Sequence, residues 1–294
     1  MQKTALILGA RGRVGSAFET AFVNAGWQTR RYVRGTDMTS SAKGCDVILN
    51  GLNPPNYHNW AQALPAITTQ VLAAARGSGA TVLFPGNVYV FGDQPGPWGA
   101  ETPHRPITVK GRVRAEVEAR YRAAAADGVQ TVILRAGDYM SPTPQESSLD
   151  VIYFRALAKG RVTSFGDPDA RRAHAWLPDM ARAGVALMDK HKDLPAFSDI
   201  PFPGHTFSSR ELLNATARLL NKPLTLSAFP WWIMTALGPF WELARELKEM
   251  RYLYSHPHTL DPSALLHHLP DWKDTPFDEM LRQALQGRGF LLNG

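Results

Sequence analysis

Two cations four residues apart, Lys110 and Arg114 in "TVKGRVRAEVEARY", are the first residues whose types and spacing could do chemistry. Thr108 precedes them as a helix N-cap. Val113, Val117, Tyr121 and Ala124 then recur at the spacing of one buried helix face. At about 100° per residue, Lys110 falls inside that stripe and Arg114 on its border, so both are expected to point inward. An unpaired cation is costly to bury, so something must meet them. A bound anionic group would serve. In the bland case Arg114 pairs with Glu118 and Lys110 snorkels to water. Burial beside a second cation also favours a neutral amine, which makes Lys110 a candidate general acid/base. Gly111 costs about 1 kcal/mol relative to alanine in a helix, a cost tolerated where something approaches the backbone closely. Arg112–Glu116 and Glu118–Arg122 read as solvent-facing pairs four residues apart.

The start of the chain offers a place for an anion. "TALILGARGRVGSAFETAFVNAG" joins an apolar strand, Ala5 to Leu8, to a glycine-punctuated turn and a helix that Gly26 closes. Gly9 permits the tight turn, Gly12 lets a pyrophosphate approach the backbone, and Gly15 lets helix and strand pack closely. The helix N-terminus adds free amide donors and partial positive charge, with Arg11, Arg13 and Val14 in the same loop. The spacing predicts a dinucleotide site. The next strand, "WQTRRYVR", ends in Arg34, where an NAD-selective site would place an acid for the ribose 2′-hydroxyl. Guanidinium groups bind phosphate well, so Arg34 and Arg11 favour NADP over NAD, and Asp37 lies in the following turn. The plainer reading of Arg30, Arg31 and Arg34 is a solvated strand end. "CDVILNGLNPP" carries a buried strand, Asp46 to Leu49, into a turn whose Asn50, Gly51 and Leu52 complete the expected cofactor contacts. Only ten residues separate Arg34 from Cys45, too few for a full crossover helix. "WAQALPAITTQVLAAARGSGA" and "TVLF" add a helix and another strand. The fold class expected is α/β, a doubly wound parallel sheet.

The 294 residues carry a net charge of +6, which raises a nucleic-acid partner. The cations are dispersed, however, and no zinc-finger spacing or RNA-binding aromatic motif accompanies them, so no such partner is expected. The single cysteine, Cys45, excludes an internal disulfide and fits a reducing cytoplasm. No basic-then-apolar leader is read at the start. The longest apolar stretch, "FPWWIMTALGPFWELA", holds two prolines and is short of a membrane span, so no membrane partner is expected.

Six segments in order resemble the short-chain dehydrogenase/reductase superfamily, in its extended or atypical, epimerase/dehydratase-like branch. They are "GARGRVG", "CDVILNGLN", "GNVYVFG", "PITVKGRVRAEVE", "LRAGDYMSP" and "HAWLPDMARAGVALM", and the tail "LKEMRYLYSHPHTLDPSALL" is also similar. The resemblance implies a Rossmann domain over residues 1–194, with lobe insertions after 136, and a smaller, mainly helical substrate lobe over 195–294. It implies a nicotinamide cofactor and a serine, tyrosine and lysine at the reacting centre. Here Asn87 stands at the serine position, Lys110 at the tyrosine and Arg114 at the lysine. The resemblance places Ala136 to Tyr139 beside the nicotinamide. Lys110 is then expected as the acid/base in place of tyrosine as well as at the ribose, Arg114 as an anchor, and Asn87 as a donor to the reacting oxygen. Tyr89 and Tyr139 are reserve acids, with Tyr89 also readable as a packed aromatic. Asp138 reads as a catalytic residue or, preferably, a turn cap, Asp179 as a helix cap and His174 as structural rather than a ligand. Ser208 or Ser209 reads as the cap of a later helix.

In the last third, Trp231, Trp232, Phe240 and Trp241 read as core, a homodimer contact or an apolar substrate wall. His256, His258, His267 and His268 lack a metal-ligand spacing, so no metal is expected. The expectation is an NADP-preferring oxidoreductase or epimerase-like enzyme for a small carbonyl or hydroxyl substrate. A catalytically idle NADP-binding sensor or scaffold is the alternative.

Overall fold

A computed structural model describes residues 2–144 and 149–292. The chain runs β1 (Thr4–Leu8), α1 (Arg13–Asn24), β2 (Gln28–Arg31), α2 (Met38–Ala42), β3 (Val47–Asn50), α3 (Trp60–Ser78), β4 (Thr81–Asn87), α4 (Val109–Ala124) and β5 (Thr131–Ala136). There follow β6 (Asp138–Met140), β7 (Arg161–Ser164), β8 (Arg172–Trp176), α5 (Leu177–Asp189), β9 (Phe197–Pro201), β10 (His205–Phe207), α6 (Ser209–Leu220) and β11 (Thr225–Ala228). The last helices are α7 (Trp231–Leu237), α8 (Glu242–Glu249), α9 (Ser263–His268) and α10 (Phe277–Gln286).

Six parallel strands form the central sheet in the order β2-β1-β3-β4-β5-β9. Helices cover both faces. Phe18, Phe22, Met180 and Val185 pack on one side, and Leu64, Val71, Val113 and Val117 on the other. That double burial explains why β1 and β3 read as unbroken apolar runs rather than alternating ones. The link between β2 and β3 holds only the five-residue α2, as its length required. In the doubly wound order 3-2-1-4-5-6 another strand lies outside the second. Here β2 is the edge, and its outward row of Gln28, Arg30 and Arg31 is exposed. Arg30 donates to the carbonyls of Ser41 and Lys43, and Arg31 pairs with Glu19. Both are exposed at the strand end, as the plainer reading had them, but each has a partner within the chain.

The sheet's sixth strand lies beyond residue 194, where the sequence placed the lobe. β9 pairs in parallel with β5, so the chain returns once to the sheet before leaving it. The lobe itself holds two small sheets, β10-β8-β6 and β11-β7, under α6 and α10. Ser208 caps α6 in a reciprocal capping box with Glu211. Asp179 is not a cap: it sits in the first turn of α5 and accepts from Arg182 and from the Thr275 amide at 2.6 Å.

Arg135, fully buried on β5, joins these parts. Its guanidinium donates to Glu118 of α4 at 2.7 and 3.2 Å, to Asp199 of β9, and to the carbonyl of Asn87 at the end of β4. All five of its N–H donors are used. Burial acts to lower its pKa, but Glu118 and Asp199 outweigh that and hold the guanidinium above its ordinary range. The expected Glu118–Arg122 surface pair is therefore absent. Glu118 faces the core, and Arg122 lies over the Phe197 ring instead, at 4.2 Å.

Removing one member of such a buried set leaves charge unpaired, at a cost of about 3–5 kcal/mol. Arg135→Met should accordingly lower the unfolding free energy from urea titration by that amount, whereas Arg122→Met should leave it within about 0.5 kcal/mol. Acid should also act through two histidines. Burial holds His174 down to about 3 and His258 down to about 4. Both stay neutral in the fold, while the unfolded chain takes up protons near pH 6.5. Their contribution is therefore complete above about pH 6.5 and lost as pH falls toward 4, on the order of 3 kcal/mol for His258. His258→Gln should flatten the fall in urea stability between pH 7 and pH 4.5; an unchanged slope would remove His258 from the account.

Candidate active site

Three glycines meet backbone to backbone where the strand order reverses, at the C-terminal ends of β1 and β3. A Cβ on Gly15 would lie 2.1 Å from the Gly9 carbonyl oxygen, and one on Gly9 would lie 2.7 Å from that of Gly51. Gly9 also takes φ +76°, the left-handed region that side chains disfavour. These contacts seat the N-terminus of α1 against the strand ends, with Gly12 as N-cap and no side chain capping it. The first-turn amides, Arg13 and Val14 among them, have no partners within the helix and make a cradle for an anion. Gly12 itself has φ −82°, which any residue adopts, so its lack of a side chain matters for what approaches rather than for the chain's path.

Beside this cradle lies a cavity of about 730 Å³, within the range of small-ligand sites. Arg34, Gly35 and Asp37 line it from the β2–α2 link, Leu52 to Pro55 from the turn after β3, and Ile67 and Gln70 from α3. Arg34 and Arg11 are exposed and make no side-chain hydrogen bond among the described residues. Asp37 is committed as the cap of α2, accepting from the Thr39 and Ser40 amides and the Ser40 hydroxyl, which together lower its pKa. Asn50 is likewise occupied: its amide donates to Tyr121 at 2.8 Å and its oxygen shapes the turn by accepting from Leu52.

The α4 stripe points inward as its phase predicted, and Val113, Val117, Tyr121, Lys110 and Arg114 are buried. Thr108 caps the helix through the Gly111 amide. The approach that Gly111 permits is that of the Tyr89 carbonyl, which a Cβ there would meet at 2.5 Å. The two cations, however, find different partners from those expected. Lys110 neither snorkels to water nor waits for an anionic ligand. Its ammonium bonds both Glu246 and Glu249 of α8, and Glu249 also accepts from the Lys110 backbone amide at 3.2 Å. That carboxylate thus satisfies one of the free amides at the start of α4 as well as the side chain. Arg114 does not pair with Glu118. It donates to Asn53 at 2.9 Å and lies over the Trp60 and Phe84 rings, while its Nε is buried without a partner. Burial lowers its pKa.

Tyrosines surround these cations. The Tyr57 and Tyr89 hydroxyls lie 3.3 Å apart, and Lys110 sits 5.1 Å from the centre of the Tyr57 ring. Burial raises the pKa of Tyr57, Tyr89, Tyr139 and Tyr254, so all four remain proton donors. Asn87 accepts from the Tyr89 amide through its side-chain oxygen, which leaves its NH₂ as the end free to donate. Asp138, read as a turn residue, lies on β6 and pairs with Arg172 at 2.8 Å. Burial would raise its pKa, but Arg172 and His174 hold it below the ordinary range. His174 is structural, stacked on Phe207 at 3.9 Å. Ala136 ends β5 beside Asn87, its register partner, and Tyr139 follows on β6.

Sequence reasoning missed Tyr57, Asn53, Glu246 and Glu249. Tyr57 carried a signal, an aromatic inside an Asn- and Pro-rich turn after a strand; its φ of 62° and those of Asn56 and Asn59 are left-handed, a strain found where position matters. The glutamates carried none, being 136 and 139 residues from Lys110. Among the described residues one group has metal-ligand spacing, His104, Glu118 and Asp199. Arg135 already joins its two carboxylates. His256 and His258 stack on Trp98 instead of converging on a site.

No curated protein matches the chain. Solved structures do, at full length but low identity. MoeE5 in complex with UDP-glucose and NAD is 16% identical, with 98% of each chain covered and a TM-score of 0.76. UDP-glucose 4-epimerase from Brucella ovis, in complex with NAD, gives the same values. A putative epimerase from Burkholderia cenocepacia J2315 is 16% identical over 97% of each chain, with a TM-score of 0.77. These likenesses establish the Rossmann-type fold. The model of the NAD dependent epimerase/dehydratase family matches residues 5–200, two-thirds of the chain, and with that match the protein belongs to the NAD dependent epimerase/dehydratase family.

Proposed function

We propose that the chain is an NADP-preferring oxidoreductase or epimerase-like enzyme for a small carbonyl or hydroxyl substrate. The observation that carries this reading is the glycine seam of Gly9, Gly15 and Gly51, whose backbone contacts leave no room for a side chain and so seat the free first-turn amides of α1 at the strand ends, where a diphosphate would be held. When bound there, the nicotinamide supplies the hydride acceptor or donor. The first-turn amides of α1 would hold the diphosphate, and Arg34 and Arg11 a 2′-phosphate. Gly51 and Leu52 would border the adenosine, and Ala136 and Tyr139 the nicotinamide. The unpartnered Nε of Arg114 fits a ribose oxygen or an anionic substrate group.

The proton that accompanies hydride transfer is assigned to Tyr89, with Tyr57 behind it, and Asn87 donates to the reacting oxygen. In reduction the substrate carbon gains the hydride and its oxygen the phenolic proton; oxidation reverses both movements. Lys110, two of whose three donors are taken by carboxylates, is assigned to holding α8 over the cleft rather than to the proton. That same pairing, with the missing serine, tyrosine and lysine, favours the second reading, an NADP-binding protein without turnover. NADPH oxidation scanned over carbonyl compounds and UDP-sugars separates the two.

Two results are expected. In fluorescence titrations, Arg34→Glu should weaken NADPH binding by tenfold or more, roughly the loss of one charged hydrogen bond, and leave NADH nearly unchanged. Gly12→Ala should weaken both, and equal affinities of the wild type for the two nucleotides would end the NADP preference. In turnover, Tyr89→Phe should lower kcat by about 10²-fold or more while sparing NADPH affinity. Lys110→Met should mainly lower stability, by about 1–3 kcal/mol, because the two glutamates it leaves unpaired are partly exposed. If instead Lys110→Met abolishes turnover with affinity intact and Tyr89→Phe does not, the proton belongs to Lys110.

A further inference from the structure

The aromatic stretch of the last third divides between core and surface. Trp231 and Met234 of α7 turn inward, with Trp231 against Phe165, Phe229 and Tyr254. Trp232 is left 73% exposed, Phe240 91% and Trp241 45%, and all three lie on α7 or its link to α8. So large an exposed apolar group on one hairpin calls for a partner. The charges of α8 are sorted in the same sense. Each of its glutamates has a partner in the body of the protein: Glu242 meets His58 at 3.0 Å, and Glu246 and Glu249 hold Lys110. Arg245, Lys248 and the following Arg251 are exposed. Arg245 lies 3.6 Å from Glu246, whose other oxygen binds Lys110, and Arg251 lies 5.4 Å from the Trp231 ring centre.

We infer that the α7–α8 hairpin docks on an anionic lipid surface, with Trp232, Phe240 and Trp241 entering the headgroup boundary and Arg245, Lys248 and Arg251 meeting the lipid phosphates. Aromatic rings beside cations on a short helical unit are the composition of an interfacial anchor. Among the described residues no helix is long and apolar enough to cross a membrane, so the hairpin lies on the surface rather than through it. A second copy of the chain fits less well. A two-fold contact would set the same cations against each other, on a protein already carrying a net charge of +6. The same helix α8 also carries the glutamates that hold Lys110 at the start of α4. The inference does not rest on the proposed reaction.

The test uses the full chain with vesicles of phosphatidylcholine alone and of phosphatidylcholine mixed with phosphatidylglycerol. Co-sedimentation with the mixed vesicles only, with a blue shift of tryptophan emission, is expected. The double variant Trp232→Ser/Phe240→Ser and the double variant Arg245→Glu/Lys248→Glu should each lose about tenfold or more in partitioning, with thermal melts unchanged. Failure of the wild type to sediment with the mixed vesicles overturns the inference, as does equal binding to phosphatidylcholine alone. A wild-type dimer in sedimentation velocity that the aromatic variant converts to monomer, without vesicle binding, would assign the face to a second copy instead.

Discussion

The arrangement of the cleft depends on one buried guanidinium. Arg135 is fully buried, so its five donors dictate where four elements stand: its own strand β5, the end of β4, helix α4 and strand β9. The cost of burying a guanidinium is met only if both carboxylates and the Asn87 carbonyl keep their places. Asn87 is thereby fixed at the end of β4. Glu118 fixes the rotation of α4, and that rotation turns Lys110 and Arg114 inward along with the apolar stripe. A packed apolar interface alone would tolerate some slippage of α4; a bidentate ion pair does not.

The two inward cations of α4 have been resolved in opposite ways. Lys110 is a compact charge on a flexible stem, and two carboxylates arriving from one helix, α8, enclose it. Arg114 is planar, and two aromatic faces with a single asparagine oxygen accommodate it, leaving one donor buried and unused. A fully paired cation is a structural fastener, whereas an under-paired one has capacity for a ligand. The sequence placed both on the inward side; the structure separates them by how fully their donors are met.

What could be read from the sequence follows the range of the interactions involved. The glycine turn, Thr108 as cap and the short β2–β3 link are decided within a few residues and stand in the structure as read, and of the two serines offered as the later cap it is Ser208 that caps. The phase of α4 was also legible, because periodicity reports which side faces inward. What that face meets is not encoded locally. Glu118 has Arg114 and Arg122 as neighbours on its own helix and takes neither, because Arg135 on the adjoining strand offers a fork in low dielectric. Glu246 and Glu249 read as ordinary charges of an amphipathic helix until the fold lays α8 across the start of α4. The sixth strand was missed for a related reason. "AFSDIP" is short and carries Asp199 at its centre, a residue that disfavours strands unless, as here, a buried partner claims it.

The turn after β3 shows how such non-local contacts converge. Leu52 to Pro55 wall the cavity, Asn53 holds Arg114, Tyr57 meets Tyr89 and underlies Lys110, and His58 meets α8 through Glu242. One short segment therefore touches the cavity beside the glycine cradle, the phenol pair and helix α8. Asn56, Tyr57 and Asn59 take left-handed conformations, which the contacts on either side must hold in place. Asparagine accepts that region more readily than most residues, and proline restricts the approach to it, so the composition "NPPNYHN" follows from the path. Tyr57 has no such tolerance. Its strain is sustained by the hydroxyl contact with Tyr89, the packing on Trp60 at 4.9 Å and the cation above its ring.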